Sequence, residues 1–209
     1  MLPEPALRAL LPELPRISLA GPWWRAVAFR HLQGPPPEKS ASGWAQPLWP
    51  GGPRIVGGRY TPQHRFDALY LASHPETALA EVGAVFHEPG GRSVPLASEP
   101  WVLISINGVL TDVLDVTSEA ILEQLETTLQ ELTGDWRYMQ SLGQEPPTQR
   151  LGRLAHESGV IAALRYVSAK NPATGAGLAI FTDRLLPGGS AFLEALDPQG
   201  RLTQRLPPG

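Results

Sequence analysis

The stretch GGRYTPQHRFDALYLASHPETALAE (57–81) places a turn, a strand and a helix in immediate succession. Its paired glycines predict a turn, because glycine adopts backbone dihedrals that other residues avoid. DALYLAS (67–73) predicts a strand that is apolar on both faces and therefore central in a sheet. The chain that follows predicts a helix, so a single stretch already combines both kinds of regular structure.

The helix has a candidate start signal and a candidate apolar face. Ser73, with Glu76 three residues later, fits a capping box, and the helix is predicted to run to about Phe86. Leu79, Val82 and Phe86 recur at helical spacing and are expected to form its buried stripe.

Three polar side chains lie eleven residues apart in the same stretch. Arg59 offers a fork of donors suited to a phosphate, or is a solvated residue of a glycine turn. Tyr70 either walls a ligand pocket or is a core tyrosine. Glu81 points away from the expected buried stripe, and its small helical neighbours leave room for a ligand or for a strand. The sequence therefore raises the question of one shared site.

The remaining elements mix strands and helices without regular alternation. Strands are predicted at WWRAVAFRH (23–31), VIAALRYVS (160–168) and GLAIFTD (177–183), and WVLISING with VLTDVLDV (101–116) predicts a hairpin around Asn107-Gly108. Helices are predicted from Thr117 to Gly134 and over 147–159. This arrangement predicts an α+β fold, a compact mixed β core with flanking helices.

Composition narrows the classes of function. The 209-residue chain is 42% apolar and 18% charged, which fits a globular protein, and a net charge of −3 disfavours direct nucleic-acid binding. It contains no cysteine, which excludes disulfides and thiolate metal sites and favours the cytoplasm. The five histidines lack the spacing of a metal site, and no segment reads as a signal peptide or membrane span.

Proline use suggests the domain limits. Eleven of the 23 prolines lie within the first 53 residues, and proline favours irregular chain. We therefore expect an N-terminal arm (1–22), a catalytic domain (23–186) with a proline-rich insertion (33–53), and a C-terminal tail (187–209).

The joint order of the motifs is more specific than any one of them. A WR pair ending at Arg25, GGRY (57–60), a strand carrying Tyr70, A-x-x-E (78–81) and Y-x-S (166–168) together resemble the RES-domain family. The family takes its name from an arginine, a glutamate and a serine, which correspond here to Arg59, Glu81 and Ser168. The resemblance covers about residues 23 to 184.

The resemblance implies a function, a substrate and a partner. Such proteins are similar to bacterial toxins that consume NAD, with a fold like that of ADP-ribosyltransferases. Some cleave the nicotinamide–ribose bond with inorganic phosphate, releasing nicotinamide and ADP-ribose-1″-phosphate. The family also implies a cytoplasmic hetero-oligomer with a helix-turn-helix antitoxin of the Xre type, and no prosthetic group.

The resemblance further implies residue roles. Glu81 would hold a ribose hydroxyl and stabilise positive charge on the sugar, and Arg59 would hold the pyrophosphate or the incoming phosphate. Tyr70 would wall the nicotinamide–ribose, and Arg25 is a second candidate cation. Ser168 would hydrogen-bond the ligand, although a serine at a strand end is also a common local terminator.

The sequence departs from the family at one expected site position. Gly177 stands where members often carry an asparagine, so Asn171 substitutes for it or the contact is missing. The alternatives are an NAD glycohydrolase, a protein ADP-ribosyltransferase, and a catalytically weak module that binds NAD or a partner.

Overall fold

A computed structural model describes residues 1–33, 47–87, 93–95, 100–171, 173, 175–197 and 202–208. Its helices are α1 (Glu4–Leu10), α2 (Phe29–Gln33), α3 (Gly51–Val56), α4 (Pro75–Glu81), α5 (Glu119–Gln124), α6 (Leu129–Thr133), α7 (Trp136–Ser141) and α8 (Pro147–Glu157). Its strands are β1 (Ile17–Ala20), β2 (Trp23–Ala28), β3 (Ala68–Ala72), β4 (Val85–His87), β5 (Ser93–Pro95), β6 (Trp101–Asp115), β7 (Ala163–Val167), β8 (Ala176–Phe181), β9 (Phe192–Ala195) and β10 (Gln204–Leu206). This mixture confirms the predicted α+β class.

Hydrogen-bonded strands close into a circuit. Within the described chain, β6 pairs with β2, β2 with β3, β3 with β8, β8 with β7, and β7 returns to β6. All these pairings are antiparallel except β6–β7. β1, β9 and β10 extend the sheet from β6, and β4 with β5 forms a separate two-stranded sheet. The site lies on this circuit.

The predicted hairpin at Asn107-Gly108 is wrong. Both residues lie inside β6, which runs unbroken for 15 residues. Gly108 is opposite Leu193 of β9, and a Cβ at Gly108 would lie 2.1 Å from the carbonyl oxygen of Phe192. The glycine is therefore required by the close approach of another strand, which a sequence pattern does not distinguish from a turn.

The helix after β3 is shorter than predicted. α4 ends at Glu81, and Gly83 follows with a φ of 75°, a left-handed conformation that ends the helix. Val82, expected in the buried stripe, is exposed, because the buried face is made by Thr77, Ala78 and Ala80.

The predicted capping box is also wrong. The N-cap residue is His74, which forms no side-chain cap. The Ser73 hydroxyl instead bonds to the His74 ring (2.8 Å) and accepts a hydrogen bond from the Ala176 amide (3.1 Å). The helix predicted up to Gly134 divides into α5 and α6, with Glu126 between them at a φ of 49°.

Other predicted elements are confirmed. β3 lies between β2 and β8, and its two faces pack into different clusters, with Ala68 in one and Leu69 and Leu71 in the other. α8 ends at Glu157, and Gly159 follows with a φ of 76°. β7 and β8 are antiparallel neighbours. The core thus lies on both sides of the circuit.

The outer segments of the chain pack onto the same sheet. The expected N-terminal arm contains α1 and β1, and buries Leu7, Leu11 and Leu14. The expected C-terminal tail contains β9 and β10, of which β9 pairs with β6. Most of the proline-rich insertion lies outside the described residues. Among the described residues, no helix has the length and apolar character needed to cross a membrane.

Candidate active site

A cleft lies where the strand circuit is least complete. Although β2 and β3 are neighbours, their described residues share one paired position, Trp24 with Ala72. Three consecutive residues of each strand line the cavity there (24–26 and 70–72). Successive side chains of a strand point to opposite faces of the sheet. Because three consecutive residues of each strand line the cavity, the cavity reaches the edges of the two strands. We call this gap between β2 and β3 the seam.

A fixed carboxylate lies at one side of the seam. Glu81, at the end of α4, lines the cavity, and its Oε1 accepts a 2.5 Å hydrogen bond from the Ser168 hydroxyl. Ser168 is completely buried at the end of β7. Charge-assisted bonds of this length are among the strong ones, so one carboxylate oxygen is held in place.

The loop after Ser168 fixes the serine in turn. The Ser168 oxygen accepts hydrogen bonds from the amides of Lys170 and Asn171 (both 3.2 Å). The Asn171 side chain donates to the Thr77 hydroxyl on α4 (3.0 Å). Asn171 therefore ties the loop to the helix that carries Glu81, and it is not among the residues that line the cavity.

The GGRY turn supplies a cation to the same cavity. One Arg59 nitrogen donates to the carbonyls of Leu132 (2.8 Å) and Gly134 (2.9 Å), so the guanidinium is anchored while it lines the cavity. A bridge between Gly58 and Thr61 closes the turn. An arginine held in this way presents its remaining donors in a fixed direction.

Tyr70 stabilises this turn with its hydroxyl and lines the cavity with its ring. The hydroxyl accepts from the Tyr60 amide and bonds to the Thr61 hydroxyl, both at 2.9 Å. A Cβ at Gly58 would come within 2.6 Å of that oxygen, which explains the glycine. Burial raises the pKa of Tyr70 to about 12, so the phenol stays protonated near neutral pH.

A second tyrosine lies deeper in the cleft. Tyr166 of β7 is 4% exposed and lines the cavity. Its ring centroid is 4.8 Å from that of Tyr60 and 6.5 Å from that of Tyr70. Gly177 lies opposite on β8, and a Cβ there would come within 2.3 Å of the Tyr166 ring. Gly177 therefore leaves room for this phenol.

Arg25 of β2 reaches the cleft from the other strand. Its guanidinium donates to the carbonyls of Pro47 (2.6 Å) and Trp49 (3.0 Å). Burial lowers the pKa of Arg25 to about 10, which still leaves it charged at neutral pH. The amide between these carbonyls, that of Leu48, donates to the Gln204 side chain on β10 (2.7 Å).

The charge of the cleft is opposite to that of the chain. Four cations, Arg25, Arg59, Arg137 and Lys170, line the cavity with one carboxylate, Glu81, whereas the chain carries a net charge of −3. The cavity has a volume of about 290 Å³, at the lower end of the range of about 300–1,000 Å³ for ligand pockets. Its electrostatics favour an anionic ligand.

The sequence profile of the RES domain matches residues 16–202, which is most of the chain. The chain belongs to the RES-domain family. The predicted family resemblance is thus confirmed.

A solved structure has the same fold as this RES domain. It is the crystal structure of the M. tuberculosis MbcT-MbcA toxin-antitoxin complex, in which one chain matches with a TM-score of 0.59 and 20% identity. The match covers 94% of this chain and 94% of that chain. At this identity the likeness shows the fold alone. No curated protein sequence matches.

The RES domain brings most of the predicted site residues together. Arg25, Arg59, Tyr70 and Glu81 line one cavity, and Ser168 contacts it through Glu81. Their roles, and that of Asn171, remain predictions. Among the described residues, no cluster of three or more histidine, aspartate or glutamate side chains could hold a metal ion.

Sequence reasoning missed several residues that line the cleft. These are Trp24, Trp136, Arg137, Tyr166 and Lys170. Tyr166 and Lys170 lie two residues before and two residues after the predicted Ser168. The neighbourhood of a candidate serine could therefore have indicated both of them as cleft residues. Trp136 and Arg137 come from α7, and no local pattern connects that helix with the GGRY turn.

The arrangement suits a ligand with anionic and flat parts. Cations hold phosphate groups, and aromatic rings pack against a heterocycle. A fixed carboxylate stabilises positive charge that develops beside it during a reaction.

Proposed function

We propose that this RES domain is a toxin that consumes NAD, cleaving the nicotinamide–ribose bond with inorganic phosphate as the acceptor. The observation that carries the proposal is the Glu81 carboxylate, held at 2.5 Å by the buried Ser168 hydroxyl in a cleft whose lining includes four cations and four aromatic rings. The family membership supports the same conclusion.

The proposed reaction exchanges one bond at the ribose. The bond between the anomeric carbon and the nicotinamide nitrogen breaks, and its electron pair stays on the nitrogen, which becomes neutral. A phosphate oxygen then forms the new bond to the anomeric carbon. If the attacking oxygen carries the proton of hydrogen phosphate, that proton is released to solvent. The products are nicotinamide and ADP-ribose-1″-phosphate, with no change of oxidation state.

Each site residue has a role in this reaction. Positive charge develops on the ribose as nicotinamide leaves, and Glu81 stabilises that charge while binding a ribose hydroxyl. Ser168 is a positioning residue, because it is buried and holds the carboxylate by one oxygen. Arg59 binds the diphosphate, and the ring of Tyr70 packs against the nicotinamide–ribose.

The charge balance favours phosphate over water as the acceptor. Four cations and one carboxylate line the cleft, so a positive surplus remains once the diphosphate of NAD is neutralised. A second anion fits this surplus, whereas water would leave it uncompensated. Arg25 is a candidate for binding this phosphate.

An antitoxin of the helix-turn-helix, Xre type is the proposed partner, and it would cover the cleft in the cytoplasm. α3 and α7 both contribute residues to the cavity lining. Large apolar side chains of these helices and of the residue after α7 are exposed: Ile55, Val56, Tyr138 and Leu142 are 53–64% exposed. The two helices are joined by a hydrogen bond from Gln140 to the Val56 carbonyl (3.3 Å). Exposed apolar residues around a polar cleft are typical of a protein-binding surface. The fold match to a chain from a toxin-antitoxin complex supports the same partner class.

The decisive experiment measures nicotinamide release from NAD by purified protein without a partner, with and without inorganic phosphate. Phosphorus NMR identifies the product. Phosphate-dependent release with ADP-ribose-1″-phosphate is the expected result.

The other outcomes identify the alternatives. Release that does not need phosphate and yields ADP-ribose makes the protein a glycohydrolase. Label transfer from NAD to a protein acceptor makes it an ADP-ribosyltransferase. Binding of NAD without release by folded protein leaves a binding module.

A further inference from the structure

The hydroxyl of Tyr166 forms no hydrogen bond to the described residues. The side chain is 4% exposed and lines the cavity, and its ring is held by Tyr60 and Tyr70. The hydroxyl of a largely buried tyrosine usually has a hydrogen-bond partner. A hydroxyl that faces a ligand cavity gains its partner when the ligand binds.

Gly177 maintains this position of the phenol. Gly177 and Tyr166 are opposite each other on β8 and β7, and a Cβ at Gly177 would lie 2.5 Å from the Tyr166 oxygen and 2.3 Å from its ring. Any larger residue would displace the ring from its place in the cavity lining. The phenol therefore occupies the space above Gly177.

Glu81 is the complementary group in the same cavity. Its Oε1 is bound by Ser168, and a carboxylate has further acceptor sites. Burial, and next the Glu81 charge, raise the pKa of Tyr166 well above its ordinary value, so the phenol remains a donor. The cavity thus offers one hydrogen-bond donor, Tyr166, and one acceptor, Glu81. Together they match a ligand group that can accept one hydrogen bond and donate another. A sugar hydroxyl fits this description, whereas a phosphate would be repelled by the carboxylate.

We infer that Tyr166 and Glu81 together recognise one hydroxyl of a sugar, with Tyr166 donating to its oxygen and Glu81 accepting its hydrogen. Resting on the proposed function, this is a hydroxyl of the ribose that bears nicotinamide. Tyr166 is then a specificity-determining residue for ribose. The pairing also gives Gly177 a role, because it leaves the space that the phenol needs.

The test combines Tyr166→Phe with NAD analogues that lack one hydroxyl, the 2- or the 3-hydroxyl, of the nicotinamide ribose. The substitution removes only an oxygen that has no protein partner, so the variant is expected to fold, which thermal unfolding checks. For NAD, kcat/KM falls roughly tenfold, the value of one neutral hydrogen bond. For the analogue that lacks the recognised hydroxyl, wild type and variant are equal, because the lost contact is already absent. Comparing enzymes on one analogue cancels that analogue's own reactivity.

A binding measurement separates this inference from the proposed function. ADP-ribose retains the ribose hydroxyls, and calorimetry is expected to show roughly tenfold weaker binding to Tyr166→Phe than to wild type. Gly177→Ala displaces the Tyr166 ring and is therefore also expected to weaken the binding of ADP-ribose.

The outcomes are distinct. If wild type releases nicotinamide, but Tyr166→Phe turns over NAD and both analogues as wild type does, the inference is overturned and the function stands. If wild type releases no nicotinamide, but binds ADP-ribose with an affinity that depends on Tyr166, the function fails and the hydroxyl site stands. Equal ADP-ribose binding by both proteins overturns the inference in either case.

Discussion

The strand circuit has two unlike sides. On one side β8 pairs with β3 and with β7 over five positions each, and we call this three-strand region the ladder side. On the other side, at the seam, the described residues of β2 and β3 share one paired position. β3 belongs to both sides, so the difference is not one of strand propensity.

The difference places most of the cleft at the seam and most of the strand pairing on the ladder side, from which Tyr166 of β7 also reaches the cavity. On the ladder side, backbone groups satisfy one another and the side chains between them are buried core residues such as Leu69 and Ile180. At the seam the ladder has a single paired position, and residues of both strands, such as Arg25 and Tyr70, line the cavity. An incomplete ladder thus provides a ligand site without a large loop.

The largest expected effect is on activity and comes from the seam. Glu81→Gln keeps the shape of the side chain but removes the charge that stabilises the ribose in the proposed reaction, so turnover of NAD should fall about 10²–10³-fold. Thermal unfolding should change little. Glu76→Gln, in the exposed first turn of the same helix, is the control and should keep full activity. Near-normal nicotinamide release by Glu81→Gln would remove the catalytic role of this carboxylate.

The next effect is on stability and comes from the ladder side. Leu69 is completely buried, so Leu69→Ala should lower the free energy of unfolding by about 2–5 kcal/mol. Turnover by molecules that remain folded should be retained, because the side chain does not line the cavity. Urea unfolding with a parallel activity assay measures both quantities.

Leu142→Ala, at a 55% exposed position, is the control and should change the unfolding free energy by about 0.5 kcal/mol or less. A loss of activity in Leu69→Ala without loss of stability would contradict the prediction for the ladder side.

The smallest effect lies outside both sides, at the contact of α1 with α8. Hydrogen bonds from Arg153 and then Arg8 lower the pKa of Glu4 to about 2. Because the folded-state pKa is lower than the unfolded one, this contribution to stability is present above pH 4.5 and is lost as the pH falls towards about 2. Glu4→Gln should therefore make the free energy of unfolding depend less steeply on pH over this range.

Denaturant unfolding at several pH values measures this slope. Glu119→Gln, at an exposed carboxylate with no ion pair to the described residues, is the control and should leave the slope closer to that of wild type. An unchanged slope in Glu4→Gln would show that the pKa of Glu4 is the same in the folded and the unfolded chain, and would contradict this prediction.

The sequence predicted the parts of this structure that depend on neighbouring residues. The two apolar faces of β3 indicated a central strand, and the periodic pattern of α8 with Gly159 indicated a helix and its end. The order of Arg59, Tyr70 and Glu81 on turn, strand and helix also followed from local patterns, and the cleft brings these three together.

The parts that it did not predict depend on distant residues. Asn107-Gly108 has the composition of a turn, but β9, some eighty residues later, requires a glycine there. The seam has no sequence signature, because an absent ladder leaves no pattern in either strand. Tyr166 and Gly177 are informative only as a pair, and the pairing is known only once β7 and β8 are aligned.

The closed circuit of strands also determines when the site can exist during synthesis. β6 cannot complete its pairing before β7 is made, since Val113 pairs with Ala163. Likewise, β3 cannot pair with β8 before β8 is made, since Ala68 pairs with Phe181. Pairings so distant in sequence form slowly and only after the later partner has left the ribosome. Ser168, which holds Glu81, belongs to that same late segment. A nascent chain therefore carries Arg59 and Glu81 without an assembled candidate site until β7 and β8 have been made, and the site forms as one late folding event.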